Sequence, residues 1–432
     1  MEFSDRLRRD GPMALSPDGK LLAHMQGLGL VLRELETLAV VQLYTCLDSV
    51  QQVAWSPDSR CVACVMSKRS MLQVWSVADA EWTCKIDAGA EGVVGMAWSP
   101  DSRHVLSRAD FQLRVTAWSL VDRSSAHLDA PKFDDERALR FSADGKYAAL
   151  LQRDDGADWL AVYGCADWQL VRRFKIDTDD AVDFAWSPAD HALCVWDSPL
   201  LFGVHVYSMD GKQLDRFSAY SHALGVKCVS WSPCAQFVAV GSFDKHARLK
   251  NHLTWRALAD HAHGDRVDGA EVDVYKEVQV QTHPSDYTSV RTRYAIETGV
   301  VELPQAVAPS AAPVAPGGAQ LGVSTIEWSY NSQYMATRED SVPNCVWIWE
   351  TAKTRLKAVL VQREPVRALK WDPAANRLAV CTGSSNVFLF QPEGTSCIDI
   401  PAEDFHATTC EWSADGSALV LKDRNAYSVM YA

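Results

Sequence analysis

The chain has 432 residues, with 55 Asp and Glu against 42 Lys and Arg and a formal net charge of −13. That length exceeds one ordinary domain core and suits two or three domains, or one repeat-built ring. The negative balance argues against wrapping nucleic acid or lying on an anionic membrane, and 47% hydrophobic residues exclude disorder throughout.

The N-terminal MEFSDRLRRDG carries charge from its second residue and has no apolar segment, so it does not read as a secretory signal. Runs such as LGLVL at 28–32 are far shorter than the ~20 apolar residues of a spanning helix. A soluble intracellular protein is expected. The 12 Cys are scattered through strand-like text without a paired framework. Cys61 and Cys64 form a C-x-x-C, but in a strand residues three apart face opposite ways, so they read as small buried hydrophobes.

Sixteen Trp are too many for an unrepeated chain. In chain order the same phrase recurs as MALSPDGK at 13–20, VAWSPDSR at 53–60, MAWSPDSR at 96–103, LRFSADGK at 139–146 and FAWSPADH at 184–191. It continues as VSWSPCAQ at 229–236, IEWSYNSQ at 326–333, LKWDPAAN at 369–376 and CEWSADGS at 410–417. The aligned positions Leu15, Trp55, Trp98, Phe141, Trp186, Trp231, Trp328, Trp371 and Trp412 are 40, 43, 43, 45, 45, 97, 43 and 41 residues apart. All but the doubled gap match the ~40–45-residue period of a four-stranded propeller blade.

Each copy reads as four strands. An alternating strand ends in the Trp, and a Pro-Asp-Gly-like turn follows, in which Pro presets φ. A second apolar strand comes next (RCVACVM, KYAALLQ, QFVAVGS). A third ends in aromatics, as in LQVWSV at 72–77 and CVWIWE at 345–350, and a polar outer strand completes the copy, as in WTCKID at 82–87 and WQLVRRFKI at 168–176. Seven Trp fall on first strands, and Trp75, Trp118, Trp347 and Trp349 fall on third strands. All eleven are expected to pack between sheets.

The last copy stops after its third strand, AYSVMYA at 426–432, and the segment MEFSDRL is expected to supply the missing fourth. The expected fold is therefore all-β, a single nine-bladed ring closed by the N-terminal strand, with two propellers split near 264–320 as the alternative. Blades one to six fall in 1–263 and blades seven to nine in 321–432. The insertion 264–320 contains EVDVYKEVQV at 271–280 and YAIETGVVEL at 294–303, which read as a β-hairpin or a degenerate tenth blade. Its end, PQAVAPSAAPVAPGGAQ at 304–320, lacks aromatics and charge and reads as a flexible loop.

No phosphate-loop, dinucleotide or H-E-x-x-H motif is present. His261 and His263, flanked by Asp260 and Asp265, read as a polar turn. Phe133 to Glu136 and Asp177 to Asp180 read as solvated acidic loops that an exposed rim would offer a basic partner. Asp154, Asp155 and Asp158 read as a turn between second and third strands, without the spacing or the terminal Glu of a calcium loop. Lys245, His246, Arg248, Lys250, His252 and Arg256 make a weak basic patch on the sixth blade. No catalytic constellation, cofactor or metal site is expected.

These blades resemble WD repeats, most closely in the sixth copy, GSFDKHARLKNHLTW at 241–255. The Gly-His and Trp-Asp that bracket an orthodox repeat are nearly absent, so the buried Ser–His–Asp–Trp hydrogen-bond chain is not expected. A finer likeness lies in QLYTCLDSVQQVAWSPDS at 42–59, KRSMLQVWSVADAEWTCKID at 68–87 and ADWQLVRRF at 166–174. It extends to LGVKCVSWSPCAQFVAVGSFDKHARLKNHLTW at 224–255, VYKE at 274–277 and SVPNCVWIWE at 341–350. These segments resemble the WD-repeat protein eight family of centrosomal and spindle-pole proteins, over essentially the whole chain. The resemblance implies a non-enzymatic adaptor at the centrosome, centriolar satellites, basal body or spindle pole. It would bind a coiled-coil anchoring protein, help place a minus-end-directed kinesin and γ-tubulin-associated proteins, tether microtubule minus ends, and support spindle and cilium assembly. No nucleic acid or membrane partner is implied. The competing readings are a translation-factor-like propeller binding ribosome or RNA, which the acidic balance disfavours, and a ubiquitin-ligase receptor, whose Trp-Asp-x-Arg ending is absent. The candidate partner contacts are Tyr275 and Lys276 in the insertion and the outer-strand residues Trp82, Lys85 and Trp168, with blade packing as the competing role of both Trp.

Overall fold

A computed structural model describes residues 2–189, 191–283, 286–305 and 321–431, with the backbone alone for 282, 283 and 286–290. The described chain is all-β, apart from three single-turn 3₁₀ segments, and its sheets are the nine blades of a β-propeller fold and a two-stranded ribbon, Arg266–Asp268 with Val300–Glu302. By contacts it divides into two compact units. One is Leu7–Ser198 with Gly203–Phe217; the other is Met1–Arg6, Pro199–Phe202 and Ser218–Ala432.

The first unit holds blades one to five. Blade one is Met13–Leu15, Leu21–Gln26, Gly29–Glu34 and Val40–Thr45, paired antiparallel in that order. Blades two to five repeat the meander, ending in outer strands Thr83–Asp87, Ser125–Asp129, Leu170–Lys175 and Gln213–Phe217. The second unit holds blades six to nine, beginning at Val226–Trp231, Val323–Trp328, Ala368–Trp371 and Thr409–Trp412. Blade nine takes its fourth strand from the N-terminus, Glu2 pairing with Tyr431 and Phe3 with Met430. The hairpin Asp273–His283 and Asp286–Glu297 is not a separate blade. Its first strand pairs parallel with Arg355–Val361, the outer strand of blade seven, from Asp273 opposite Ala358 to Lys276 opposite Val361. Residues 306–320, most of the expected flexible loop, lie outside the described residues.

Burial follows strand alternation. Each blade-to-blade interface within a unit is an apolar cluster. The one between blades one and two joins Ala23, Leu30, Leu32 and Tyr44 to Val53, Trp55, Val62 and Trp75. Nine of the eleven assigned Trp are buried and two, Trp118 and Trp231, are half-buried. A buried indole needs an acceptor for its N–H. Five first-strand Trp find it in the main-chain carbonyl of the preceding blade's first strand: Trp55 to Ala14 (3.0 Å), Trp98 to Ala54 (3.2 Å), Trp186 to Arg140 (2.9 Å), Trp371 to Glu327 (3.1 Å) and Trp412 to Lys370 (3.0 Å). In each case the acceptor sits one residue before the aligned Trp, Phe or Leu of that blade.

The Ser-Pro-Asp turns add a second link. Ser56 Oγ donates to Asp58 and accepts the Cys61 N–H, and Ser16, Ser142 and Ser413 do likewise in their own turns. The fourth turn residue is left-handed, at φ near +60° for Ser59, Ser102 and Ser332. A side chain there is strained, yet each serine hydroxyl accepts a main-chain N–H from the previous blade's turn: Asp18 at 3.0 Å, Asp58 at 3.1 Å and Cys234 at 3.0 Å. Where Gly145 takes the position, a Cβ would lie 2.7 Å from Pro100, so only glycine fits.

Trp371 and Trp328 give a test within one unit. Both are buried, but among the described residues the Trp328 indole nitrogen has no hydrogen-bond partner. Trp371→Phe leaves the carbonyl of half-buried Glu327 without its donor and is expected to cost about 1–2 kcal/mol more than Trp328→Phe in chemical denaturation; equal losses would refute the link.

Candidate functional site

The outer-strand residues come together at one place and separate at another. Trp82 is half-buried at the entry to the outer strand of blade two, and Lys85 is exposed on that strand, opposite Gln73 of the third. They line a groove of about 570 Å³ whose far wall is Trp118, Leu120, Val121 and Arg123 of blade three. Trp118 is held there by its indole N–H, which donates to Ser107 Oγ at 2.8 Å. Neither Lys85 nor Arg123 forms an ion pair among the described residues, and Val121 is 73% exposed. The groove thus offers two indole faces, an aliphatic side chain and two available cations, beside one exposed acid, Asp87. It can accept a carboxylate-bearing, partly apolar segment.

Trp168 lies elsewhere. It is buried between blades three and four, edge-on to His104 (5.6 Å) and Phe141 (6.4 Å), at φ +56° in the turn before its outer strand. Packing is its role in this structure. The two insertion residues also part company. Tyr275 is buried, opposite Leu360 in the parallel register and edge-on to Tyr294 at 6.2 Å. Lys276 points outward on the other face, exposed, 4.0 Å from Glu297. On the Tyr275 side, Arg291, Arg293 and Ile296 face Glu393 to Thr395 of blade eight across a trough of about 670 Å³. Sequence reasoning missed Val121 and Arg123; the signal available was a turn, VDRSS, that keeps an aliphatic side chain and a cation beside a Trp-bearing third strand.

Three polar readings need correction. His261 and His263 are not a solvated turn: both are buried. His261 stacks on Trp349 with centroids 4.3 Å apart. His263 bonds the Lys245 carbonyl through Nδ1 (2.9 Å) and Thr337 Oγ1 through Nε2 (2.7 Å). Thr337 Oγ1 in turn accepts the Trp349 indole N–H at 2.8 Å. A three-member form of the His–Thr–Trp chain, not expected from the sequence, is therefore built into blade seven. Asp158 is likewise no turn residue. It lies buried in the third strand of blade four, and accepts from Lys132 (2.9 Å), Arg153 (3.1 Å), Thr178 (3.1 Å) and the Ala181 N–H (2.7 Å). Asp180, in one of the acidic loops, is exposed and closes this network through Lys132 and Arg153. Among the described residues, no group of three or more His, Cys, Asp or Glu is placed to hold a metal ion, and no helix is long and apolar enough to cross a membrane.

The WD domain, G-beta repeat family model matches residues 211–249, the stretch leading into and through most of blade six. The mouse WD repeat-containing protein WRAP73 is 38% identical over 447 aligned positions, covering 100% of this chain and 96% of that protein. An uncharacterized WD repeat-containing protein of Schizosaccharomyces pombe is 20% identical over 66% of this chain and 61% of its own length. Among solved structures, the C-terminal WD40 domain of Sif2 matches with a TM-score of 0.55 at 12% identity, over 100% of this chain and 98% of that one, a likeness of fold alone. The chain belongs to the WRAP73 family of WD-repeat proteins.

Burial, the largest cause, pulls His261 and His263 down to about 4, against ~6.5 for an unfolded histidine. Between those values the unfolded chain binds protons that the folded one does not. Their contribution is therefore complete above pH ~6.5 and lost as pH falls toward 4. His24, also lowered to about 4, adds to the same slope. Thermal melting is expected to fall between pH 7 and 5, and less steeply in His261→Phe, which keeps a ring on Trp349; an unchanged slope would count against burial of a neutral ring.

Proposed function

We propose that this protein is a non-enzymatic WD-repeat adaptor of the centrosome, centriolar satellites or spindle pole. In this reading it binds a coiled-coil anchoring protein, tethers microtubule minus ends, and supports spindle and cilium assembly. A minus-end-directed kinesin and γ-tubulin-associated proteins are the further partners. The observation that carries the reading is the likeness to mouse WRAP73 along the full length of both chains, together with the sequence segments that resemble the centrosomal family.

The groove between blades two and three supplies a plausible contact chemistry. Aromatic faces tolerate many apolar side chains, and Lys85 and Arg123 select for carboxylates. Coiled-coil segments are rich in exposed acidic residues at their flanking positions, which suits that groove. Buried catalytic machinery is not required for such work. A scaffold needs rigid blades and a few accessible contacts on their edges and turns.

A tagged copy is expected to concentrate at centrosomes, basal bodies or spindle poles and to enrich a coiled-coil protein by proximity labelling. Diffuse signal throughout mitosis with no such partner would overturn the adaptor. Loss of every partner after RNase treatment would favour the ribosome or RNA reading instead. Lys85→Glu with Arg123→Glu is expected to reduce partner capture at least tenfold while leaving the melting temperature within about 2 °C, since exposed substitutions rarely exceed ±0.5 kcal/mol each.

A further inference from the structure

The outer strand of a four-stranded blade is a sheet edge, and an edge is a template for another strand unless something blunts it. One position shows how this chain manages the problem. Lys85, His127, Arg173 and Asp260 in blades two, three, four and six stand immediately before a buried outer-strand residue, and Arg216 in blade five stands before half-buried Phe217, all aligned by their pairing with the third strand. All five are ionisable and exposed.

Blades seven and eight carry Val359 and Cys397 at that position instead. Both are covered by the hairpin. Val359 is 0% exposed under the parallel strand, opposite Val274, and Cys397 lies in the trough beside Tyr294. The covering strand begins just past a bulge at Lys357 and pairs with Ala358 to Val361, with Lys357 held to Asp273 at 2.6 Å where the strand enters.

Blade one carries Leu43 at the same position, and it is 61% exposed. Its strand, Val40–Thr45, has no charged residue and no proline, and no strand pairs with its far side among the described residues. It has the same bulge, at Val41, and the same four-residue stretch after it, Gln42 to Thr45. The apolar surface continues past the strand through exposed Leu47 and Leu28, joined where the Cys46 N–H meets the Leu28 carbonyl. At the other end, Glu34 and Glu36 are exposed carboxylates with no ion pair among the described residues.

From this contrast we infer that the outer strand of blade one is a strand-addition site for a partner protein. Its occupant is an extended apolar segment that runs parallel to Gln42–Thr45 and carries a basic residue at its N-terminal end, beside Glu34 and Glu36. Main-chain hydrogen bonds along the edge supply affinity; Leu43, Leu47 and Leu28 select apolar side chains, and the two carboxylates set direction. This site stands apart from the cellular role proposed above and survives if that role fails.

The test uses the full chain and a fluorescent peptide, Lys-Lys-Val-Thr-Val-Tyr-Val, with a Glu-Glu-led version and a version with proline at the central valine. Saturable binding of the first is expected, weakened at least tenfold by either peptide change and by Leu43→Lys. Val171→Lys, on the bulge of blade four, is expected to bind as the unaltered chain does. Hydrogen exchange is expected to show new protection confined to residues 40–47. No binding, protection elsewhere, equal binding of the proline peptide, or an unaffected and folded Leu43→Lys would each overturn the inference. So would concentration-dependent dimerisation that Leu43→Lys abolishes, because the occupant would then be a second copy.

Discussion

At five junctions a blade hands the next an unfinished edge, and a tryptophan finishes it. The first strand of a meander has a sheet partner on one side only, so alternate carbonyls on its other side lack an acceptor role within the sheet. The indole of the following blade fills that gap at Ala14, Ala54, Arg140, Glu327 and Lys370, while its ring fills the apolar space between the sheets. Donor and acceptor lie 41 to 46 residues apart, the contour length of one blade. The repeat period and the hydrogen bond are therefore one constraint: an insertion within a blade is tolerated only where it leaves the next indole in place.

That constraint is relaxed where the long insertion enters. Trp328 keeps its burial but stacks on Phe237, with rings 14° from parallel, and its N–H finds no acceptor among the described residues. The interface between blades six and seven compensates with polar links of its own. Lys227 reaches Asp340 at 2.5 Å, Cys228 Sγ lies 3.3 Å from the Val323 carbonyl, and His263 ties the loop leaving blade six to Thr337 and Trp349. Partnered and at least half-buried, such groups hold register where hydrophobic packing alone is less directional.

The repeat was legible because its signals are local. A Trp before Ser-Pro-Asp, or a close variant of that phrase, marks a strand end and a turn within eight residues, and nine such copies specify nine blades. The N-terminal strand of blade nine was legible by counting, since Ala426–Tyr431 had no successor. What was not legible depends on partners far apart in sequence. His261 and His263 read as polar because Asp260 and Asp265 flank them, but strand alternation turns His261 inward and Thr337, 74 residues from His263, satisfies the other ring. Asp158 looked like one acid of a turn, and only the fold brings Lys132 and Arg153 to it. The hairpin was legible as strands, but not its parallel pairing, which no neighbouring residue encodes. Among the candidate contacts, Trp82 and Lys85 share a groove because Trp82 leads directly into the outer strand that carries Lys85; Trp168 is buried because a left-handed turn folds it back onto Phe141.

Net charge is a poor guide to where this molecule presents charge. Many of its cations are committed: Lys132 and Arg153 to Asp158, Arg140 to Asp183, Arg248 to Asp244 and Arg377 to Asp372. Such pairs set local geometry and leave little field outside them, because opposite charges in contact cancel beyond a Debye length of ~8 Å. The cations that can still act on a partner are those without a carboxylate, and Lys85 and Arg123 are two of them on one groove. A chain at −13 repels acidic partners at long range and so slows their approach. It also leaves such a groove conspicuous at short range, where a partner's carboxylate meets uncompensated positive charge against indole rings. In the adaptor role proposed above, specificity would therefore come from which edge residues are left unpaired, and not from the sign of the whole.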